Sequence, residues 1–566
     1  MNRFGVWSLI LPMAALVACQ PSDGGPYDMV IEHGRLVDGT GAAWFNGDLA
    51  IRGDRIVKIA PAGTLADAPA RERIDARGMV VAPGFIDIQS HSRSSFLGGD
   101  GRIVSKVTQG ITTEIMGEGW TNAPANEKTL ESNSTVDPAA AERGRDFFGS
   151  HGFDRWLRAM EQNGVSTNIG SFVGATTIRV YAKGDAMGAA NEAELDTMRA
   201  ITREAMEDGA FGVASALIYP PGNFASTQEL IEIAKAMAPY GGTYITHMRS
   251  EADQVLEAID EAITIGREGG VPVEIYHLKA AGQRNWYKAP MMIAKIDSAR
   301  AAGFDVQANM YPYVAGGTGL AALLPPWAAA DGKLLDNIQD ADARAKIKAE
   351  MLSDETTWEN LGMLTTPQGV LLVDIEGDDN KRWIGKRLSE IAAEMGMDWA
   401  DAALDLLTAS DARAGMVVFM MAEDNVKLQL QQPWIKIGTD AGGFDPDSAT
   451  SMAHPRAYGT YPRILGKYVR DEGVLSLEDA IRKMSSAVAI RVGIQDRGLL
   501  REGMYADVVV FDPDAIIDRA TFADPHQLSV GVREVFVNGV GVVRDGRHTG
   551  AKPGRIVRGP GYRGTD

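Results

Sequence analysis

Histidines and acidic residues at the ends of predicted strands are the residues of this chain best suited to do chemistry. The chain contains eight histidines, and three of them, His91, His247 and His277, end short apolar runs. Asp440 ends a fourth run of this kind. Imidazole nitrogens and carboxylate oxygens bind divalent cations and exchange protons. If these strand ends meet, they would form a metal-binding or acid–base site.

The first of these strands carries a modified version of a common metal-binding pattern. Histidines two residues apart on a strand direct both imidazoles to the same side, so that one strand end can hold one cation. In the stretch GFIDIQSH the earlier position is Gln89 and the later one is His91. Because a neutral amide oxygen is a poor zinc ligand, this strand predicts a metal site that has been altered or weakened.

Eight apolar runs alternate with amphipathic helical stretches in the middle of the chain, which favours parallel strands joined by helices. Eight such units over roughly 400 residues predict an α/β fold with a TIM-like (β/α)8 barrel. We assign this barrel to residues 83–495, with an insertion at about 319–433. A doubly wound open sheet is the alternative, but no Gly-rich phosphate loop follows the first strand. The predicted strands are GFIDIQSH, ITTEIMGE, STNIGSFV, FGVASALIY, TYITHMR, VPVEIYHLK, FDVQANMYPY and IKIGTD.

The segments before and after the predicted barrel share a sequence pattern that differs from that of the barrel. Residues 28–82 and 496–566 consist of short alternating strands with Gly-Asp and Asp-Gly turns, a pattern typical of antiparallel hairpins. These flanks predict one small β-sandwich domain formed by both chain ends.

The N-terminus resembles a bacterial lipoprotein signal. Residues 1–18 contain Arg3 and a short apolar run, and Cys19 follows small residues that suit cleavage. Residues 19–27 form a predicted tether. Cys19 is the only cysteine, so no intramolecular disulfide and no thiolate metal ligand are possible in the body of the protein. This predicts lipidation at Cys19 and anchoring in the bacterial cell envelope, with Gln20 favouring the outer membrane facing the periplasm. An ordinary cleaved signal is the alternative.

The amino-acid composition and net charge limit the kinds of molecule that the protein is expected to bind. The hydrophobic content of 45% and the charged content of 23% are typical of a soluble globular body. The formal net charge of -19, with no Lys/Arg-rich run, argues against a nucleic-acid partner. We therefore expect a small-molecule substrate.

Seven segments resemble the N-acyl-D-amino-acid deacylase (D-aminoacylase) family of the amidohydrolase superfamily. They occur in the order of the family and cover nearly all of the mature chain; HMR, HLK, YPY and HPR together are more specific than ADVVVFDP. The resemblance implies zinc-dependent hydrolysis of the amide bond of N-acyl D-amino acids, releasing a carboxylic acid and a free amino acid. The segments are GFIDIQSH, YITHMRSE, YHLKAAG, NMYPYVAGGT, IGTDAGG, HPRAYGTYPRIL and RGLLREGMYADVVVFDP.

The resemblance also assigns roles at the strand ends. It implies that His247 and His277 bind the principal zinc ion and that Asp440 transfers the proton of a water molecule to the leaving nitrogen. His91 would contribute to a second cation position. Because Gln89 replaces the first histidine of that strand, we expect one tightly bound Zn²⁺ and a second position that is weak or empty.

A cysteine that binds the metal in the family is missing from the second strand. Gly119 aligns with it, and Glu118 precedes it in GEGW. We predict that Glu118 supplies the missing anionic ligand, with Glu114 as the reserve candidate. A salt-bridged carboxylate near the barrel mouth is the alternative interpretation of Glu118.

Three residues are predicted to bind the carboxylate of the substrate. Lys279 lies two residues after His277 and therefore on the same side of the strand. Arg456, in HPR, and Tyr311, in YPY, resemble the carboxylate clamp of the family. A guanidinium offers two parallel hydrogen bonds and an ammonium a point charge, which suits a free α-carboxylate.

Other functions remain open from the sequence. A dipeptidase of the same superfamily would share the metal and need an acidic residue for the substrate ammonium. A lactonase or carbamate hydrolase would need no carboxylate clamp. Gln89 and the missing cysteine also suit a non-catalytic, surface-anchored binding lipoprotein. The preference for the D-hand rests on the resemblance alone.

Overall fold

The computed structural model describes residues 25–134 and 143–564. The predicted signal peptide, Cys19 and most of the tether lie outside these residues. Among the described residues, no helix combines the length and apolar character that a bilayer span requires. The strands are β1 (Tyr27–Leu36), β2 (Phe45–Arg52), β3 (Arg55–Pro61), β4 (Ala70–Asp75), β5 (Val80–Pro83), β6 (Phe85–Asp87), β7 (Ile111–Met116), β8 (Asn168–Ser171), β9 (Val173–Gly174), β10 (Gly212–Ala216), β11 (Thr243–His247), β12 (Val273–Ile275), β13 (Val306–Met310), β14 (Gly316–Gly319), β15 (Val370–Ile375), β16 (Ala414–Val418), β17 (Ile435–Ile437), β18 (Val508–Phe511), β19 (Val532–Val537), β20 (Val540–Arg544) and β21 (Arg547–His548).

Helices follow most of the central strands. Local signals set their ends: Asn191 caps one helix through a capping box with Glu194, and Gly270, in the left-handed conformation, ends another. The α-helices span Arg93–Leu97, Val104–Val107, Glu127–Ser134, Gly152–Asn163, Ala175–Lys183, Glu192–Glu207, Thr227–Met237, Val255–Gly269, Ala289–Ala301, Leu334–Gln339, Ala341–Met351, Leu361–Thr365, Leu388–Met395, Trp399–Ala409, Glu423–Leu430, Arg456–Arg463, Leu477–Met484 and Ser486–Val492, and a π-helix spans Ile464–Asp471.

The central strands are parallel and lie in two sheets. One sheet has the order β6-β7-β8 and the other the order β17-β13-β12-β11-β10-β9. Backbone hydrogen bonds join their edges: the Asp440 N–H donates to the Gln89 carbonyl at 2.8 Å, and the Phe211 N–H donates to the Ser171 carbonyl at 3.1 Å. The strands read as nearly continuous apolar runs because helices cover them. The carboxyl ends of these strands therefore meet on one side.

Both chain ends contribute to a separate nine-stranded sheet. Its order is β21-β20-β19-β18-β5-β1-β2-β3, with β4 paired to β1. Strand β18, from the C-terminal flank, pairs antiparallel with β5, from the N-terminal flank. Within the described residues, the two flanks thus contribute strands to one sheet.

The predicted insertion has its own core. Strands β14, β15 and β16 form an antiparallel three-stranded sheet, and the helices Leu388–Met395 and Trp399–Ala409 contribute to the apolar cluster beneath it. The insertion lies beside the carboxyl ends of the central strands through Thr318, whose hydroxyl donates to the Tyr219 hydroxyl at 2.9 Å.

All eight predicted central strands are present, but they are shorter than the sequence pattern indicated. Apart from the reserve candidate Glu114 on β7, only His247 of the predicted metal and acid–base residues is part of a strand, as the last residue of β11. The others follow the strand ends. His277 and Asp440 both have positive φ angles, of 33° and 51°. This left-handed conformation costs energy for residues other than glycine and is concentrated at functional sites.

Candidate active site

Glu118 is the meeting point of the predicted metal ligands. Its Oε1 lies 3.0 Å from His247 Nδ1 and 3.4 Å from His277 Nε2. Its other oxygen, Oε2, accepts a hydrogen bond from Gln89 Nε2 at 2.6 Å. The structure therefore brings together Glu118 and the two histidines that the sequence singled out, and it adds Gln89 as a donor to the carboxylate.

The spacing of these three groups fits a zinc ion. Zinc–nitrogen bonds of about 2.0–2.1 Å in a tetrahedron place neighbouring ligand atoms about 3.3 Å apart. The measured contacts of 3.0 and 3.4 Å bracket that value. One carboxylate and two imidazoles also form a ligand set that leaves a fourth position for water or substrate. Glu118, His247 and His277 thus form a group that could hold one metal ion.

The charge at this group favours a cation. Burial alone would raise the pKa of Glu118, but hydrogen bonds from His247 and His277 hold it well below its usual value. Burial and the Lys279 ammonium lower the pKa of His277, yet the neighbouring carboxylates of Glu251, Asp440 and Glu118 outweigh them and raise it to about 9. A protonated histidine here shows how strongly the pocket attracts positive charge.

Glu114, the reserve candidate, lies elsewhere. Its side chain is fully buried, and its Oε2 accepts hydrogen bonds from the hydroxyls of Ser90 and Ser92. Lys106 Nζ lies 3.5 Å from the same oxygen. Burial raises the pKa of Glu114, while the Lys106 charge and the two hydroxyl groups oppose this shift. Of the two glutamates, only Glu118 lies with the histidines.

Gly119 cannot carry the side chain that the family pattern would place there. Its φ angle is +65°, and a Cβ on this residue would lie 2.8 Å from the Cβ of Ala216. Both the backbone conformation and the contact exclude a cysteine at this position unless the strand end moves. Glu118, one residue earlier, instead places its carboxylate beside His247 and His277.

His91, Glu118 and Asp440 form a second group that could hold a metal ion. His91 Nε2 lies 2.9 Å from Asp440 Oδ1 and 3.4 Å from Glu118 Oε2. Donors already occupy these carboxylates, since Gln89 donates to Glu118 and Arg456 Nη1 lies 2.6 Å from Asp440 Oδ2. A cation here would have to compete with an amide N–H and a guanidinium.

Asp440 is held by three neighbours. Besides His91 and Arg456, its own backbone N–H donates to the Gln89 carbonyl. Burial raises the pKa of Asp440, but the Arg456 and His277 charges outweigh this and lower it. The carboxylate therefore stays ionised and able to accept a proton.

The predicted carboxylate clamp converges on Tyr311. The guanidinium carbon of Arg456 lies 4.6 Å from the ring centroid of Tyr311 and the Lys279 Nζ lies 5.8 Å from it. The buried Tyr311 hydroxyl has no hydrogen-bond partner among the described residues. Two cations thus lie near the ring of a tyrosine whose hydroxyl has free hydrogen-bonding capacity, a set of groups that suits a carboxylate ligand.

His454 supports Arg456 rather than a metal. The Arg456 N–H donates to His454 Nδ1 at 3.0 Å, and His454 Nε2 lies 2.8 Å from the Ala315 carbonyl. Burial, aided by the Arg456 charge, lowers the pKa of His454 well below its usual value. A neutral His454 that donates from Nε2 satisfies both contacts and orients Arg456.

Sequence reasoning missed two residues of this site. Tyr219 follows β10, and its ring packs edge-on against His247 with centroids 5.2 Å apart. Glu251 lies four residues after His247, and its carboxylate is 2.8 Å from His277 Nδ1. The acidic residue in HMRSE was the available signal for Glu251; the position of Tyr219 at a strand end was the signal for Tyr219.

Parallel strands with their carboxyl ends around two histidines and a carboxylate define a metal-dependent hydrolase of the amidohydrolase class. Residues 386–543 match the Amidohydrolase family. The chain is 35% identical to the D-aminoacylase of Alcaligenes xylosoxydans xylosoxydans over 542 residues, which cover 95% of this chain and 98% of that one.

Solved structures agree with this comparison. A D-aminoacylase structure, described for one-metal activation and second-metal attenuation of its binuclear centre, has a TM-score of 0.79 at 32% identity and covers 94% of this chain and 100% of that one. An N-acyl-D-glutamate deacylase from Bordetella bronchiseptica, complexed with zinc and a phosphonate inhibitor that mimics the tetrahedral intermediate, has a TM-score of 0.78 at 32% identity with the same coverage. The chain belongs to the N-acyl-D-amino-acid deacylase (D-aminoacylase) family, which confirms the resemblance found in the sequence.

Proposed function

We propose that this protein hydrolyses the amide bond of N-acyl D-amino acids and releases a carboxylic acid and a free amino acid. The observation that carries the proposal is the arrangement of a metal-ligand group, Glu118, His247 and His277, beside a cationic clamp around Tyr311. The relatives support it, since they include a D-aminoacylase and an N-acyl-D-glutamate deacylase. A binding lipoprotein without activity would need neither the metal group nor the ionised Asp440.

Glu118, His247 and His277 would hold one Zn²⁺. When bound, this ion would lower the pKa of its water toward ~7 and polarise the acyl carbonyl. Gln89 fixes the rotation of the Glu118 carboxylate by donating to Oε2, so that Oε1 faces the two histidines. Because Gln89 and Arg456 occupy the carboxylates near His91, we propose that the second cation position is weak or empty.

Asp440 would take a proton from the attacking water and later give it to the leaving nitrogen. Its carboxylate is ionised, adjacent to the metal group through His91 and Glu118, and held by Arg456. General acid–base transfer of this kind contributes typically about 10²–10⁴-fold to the rate.

Lys279, Arg456 and Tyr311 would bind the α-carboxylate of the substrate. They would thereby place the amide carbon next to the metal group, and such positioning can supply up to roughly 7–11 kcal/mol in favourable cases. Lys279 and Arg456 are already paired, with Glu251 and Asp440. The substrate carboxylate would therefore share these cations with the protein.

We also propose the finer architecture and the cellular location. The two parallel sheets, joined at both edges, would form the (β/α)8 barrel, and the nine-stranded sheet the β-sandwich, with the domain boundaries assigned from the sequence. The insertion at about 319–433 would be a lid over the acyl chain. Cys19 would carry a lipid anchor that holds the enzyme at the outer membrane, facing the periplasm.

A hydrolysis screen tests the activity. Zinc-loaded protein is incubated with N-acetyl and long-chain N-acyl amino acids of both hands, and release of the free amino acid is measured. We expect turnover of the D-compounds, and Asp440→Asn should reduce kcat by about 10²–10⁴-fold with the zinc content unchanged. Equal turnover by Asp440→Asn would remove Asp440 from its role, and hydrolysis of no N-acyl amino acid would overturn the proposed function.

A further inference from the structure

Glu251 is a buried carboxylate that contacts both histidines of the metal group and the lysine of the clamp. Its side chain is 2% exposed. Oε1 lies 2.8 Å from His277 Nδ1 and 2.7 Å from Lys279 Nζ. Oε2 lies 2.8 Å from Lys279 Nζ and 3.4 Å from His247 Nε2. The last contact is too long for a well-formed hydrogen bond but still attracts a ring N–H.

These contacts fall on the ring nitrogens that do not face Glu118. His247 presents Nδ1 to Glu118 and Nε2 to Glu251, whereas His277 presents Nε2 to Glu118 and Nδ1 to Glu251. A histidine that binds a metal through one nitrogen must carry its proton on the other. Glu251 is the carboxylate on that side of both rings.

Lys279 creates a conflict that Glu251 resolves. Its ammonium lies 2.8 Å from His277 Nδ1 and could donate a hydrogen bond to that nitrogen. His277 would then carry its own hydrogen on Nε2, the atom that must offer a lone pair to the metal. The two oxygens of Glu251 both attract the ammonium at 2.7 and 2.8 Å and leave Nδ1 as the protonated nitrogen.

We infer that Glu251 is a positioning residue that sets the tautomer of His277 for zinc binding and holds Lys279 as part of the substrate clamp. The inference rests on the proposed function, because it takes Glu118, His247 and His277 as the metal ligands. It adds a single carboxylate through which the metal group and the clamp depend on each other.

The backbone of Glu251 is fixed independently of its side chain. Its carbonyl accepts from the Ala281 N–H at 2.7 Å, and its N–H donates to Glu359 Oε2 at 2.6 Å. Glu359 belongs to the insertion and also accepts from the Ser250 hydroxyl. Substituting the Glu251 side chain therefore leaves these backbone contacts in place. The effect of the side chain can thus be measured separately from that of the backbone.

Zinc titration of the full-length protein by competition with a chromophoric chelator provides the test. Glu251→Gln has one acceptor oxygen where the carboxylate has two, so we expect zinc affinity to fall by about 10–100-fold and KM for the N-acyl substrate to rise. Adding Lys279→Met to Glu251→Gln removes the competing ammonium and should restore most of the zinc affinity but not KM. A purely structural ion pair would show no such recovery.

Glu359→Gln is the matched control, since it changes a buried carboxylate on the neighbouring segment without altering the Glu251 side chain; its zinc affinity should stay within twofold of wild type. Circular dichroism establishes folding, and Glu251→Ala, which removes both acceptor oxygens, replaces Glu251→Gln under the same criteria if the latter does not fold.

Unchanged zinc affinity in folded Glu251→Gln, or no recovery in the double variant, would overturn the inference. The titration uses no substrate, so a wild-type protein that binds zinc with this dependence but hydrolyses no N-acyl amino acid keeps the inference and loses the proposed function. A wild-type protein that binds no zinc overturns both.

Discussion

Two ionic clusters lie on or beside the central strands, and they differ in charge balance. In the first, Glu274 on β12 contacts Lys436 on β17 and Arg491, each at 3.0 Å. Arg491 also pairs with Asp305 at 2.8 Å. Two carboxylates are thus matched by two cations. We call this group the balanced cluster.

The second cluster is the candidate active site, where three carboxylates face two cationic side chains. Glu251 pairs with Lys279 and Asp440 with Arg456, and Glu118 is left with histidines that are neutral when they bind metal. The balanced cluster is complete without a ligand, whereas Glu118 in the active site is matched only by histidines, of which His277 has a pKa raised to about 9 by the neighbouring carboxylates. Burying an unmatched carboxylate is costly, so Glu118 needs either a protonated histidine or a bound cation beside it.

The strongest test of this comparison is to remove the charge of Glu118. Glu118→Gln replaces the anionic ligand by an amide. If about 10–16 kcal/mol of zinc-binding free energy is shared among four ligands, losing one costs roughly 3 kcal/mol, or about 100-fold in affinity. Zinc affinity, measured by chelator competition, should show this loss while the fold persists in circular dichroism. Zinc affinity equal to wild type would mean that Glu118 is a salt-bridge residue and not a ligand.

The corresponding Glu→Gln substitution in the balanced cluster should lower the stability of the fold and leave zinc binding and catalysis unchanged. Glu274→Gln removes the carboxylate between two cations, of which Lys436 is fully buried and has its pKa lowered by that burial to about 8. We expect a loss of about 3 kcal/mol in the free energy of unfolding, measured by urea denaturation. At a temperature where the variant is folded, kcat and zinc content should match wild type. A selective loss of zinc would contradict the separation of the two clusters.

The buried carboxyl group of Glu359 differs from those of both clusters, because it lowers its cost of burial by keeping a proton. Burial, together with the nearby Glu251 charge, raises its pKa from 4.5 to about 7. Between these values the folded state holds a proton that the unfolded chain has lost. The contribution of Glu359 to stability is therefore present at low pH and decreases as pH rises toward about 7, by up to roughly 3 kcal/mol.

Glu359→Gln should flatten this part of the pH dependence. The difference in unfolding free energy between variant and wild type, measured by urea denaturation from pH 4.5 to 7.5 at saturating zinc, should move in favour of the variant as pH rises. A difference that does not change with pH would show that Glu359 titrates normally.

The sequence located the candidate residues that end predicted strands and missed those whose placement depends on a neighbouring side chain. His247, His277 and Asp440 follow apolar runs, so strand periodicity alone places them at one edge. Gln89 was interpreted as a lost ligand, since its role as a donor depends on the rotation of Glu118. Glu251 lies beyond the end of a strand, where periodicity no longer predicts which way a side chain points.

Glu359 illustrates a contact between distant parts of the chain that cannot be predicted from local sequence. It meets Glu251 across 108 residues, from an insertion whose position on the central strands has no local signature. Gly119 was noted only as the residue that aligns with the missing cysteine; its positive φ, and the 2.8 Å that would separate a Cβ on it from the Cβ of Ala216, are visible only in three dimensions. Sequence periodicity therefore fixes strands and their ends, while the contacts between loops depend on tertiary packing.

The sheet shared by both flanks has a consequence for how the enzyme is made. Arg55 Nη1 donates to the Gly503 carbonyl across 448 residues, and β5 pairs with β18 over a similar separation. Contacts this distant in sequence form slowly, because a long loop must close first. The nascent chain must therefore emerge almost completely before this sheet can assemble, and until then its unpaired strand edges need protection from neighbouring chains.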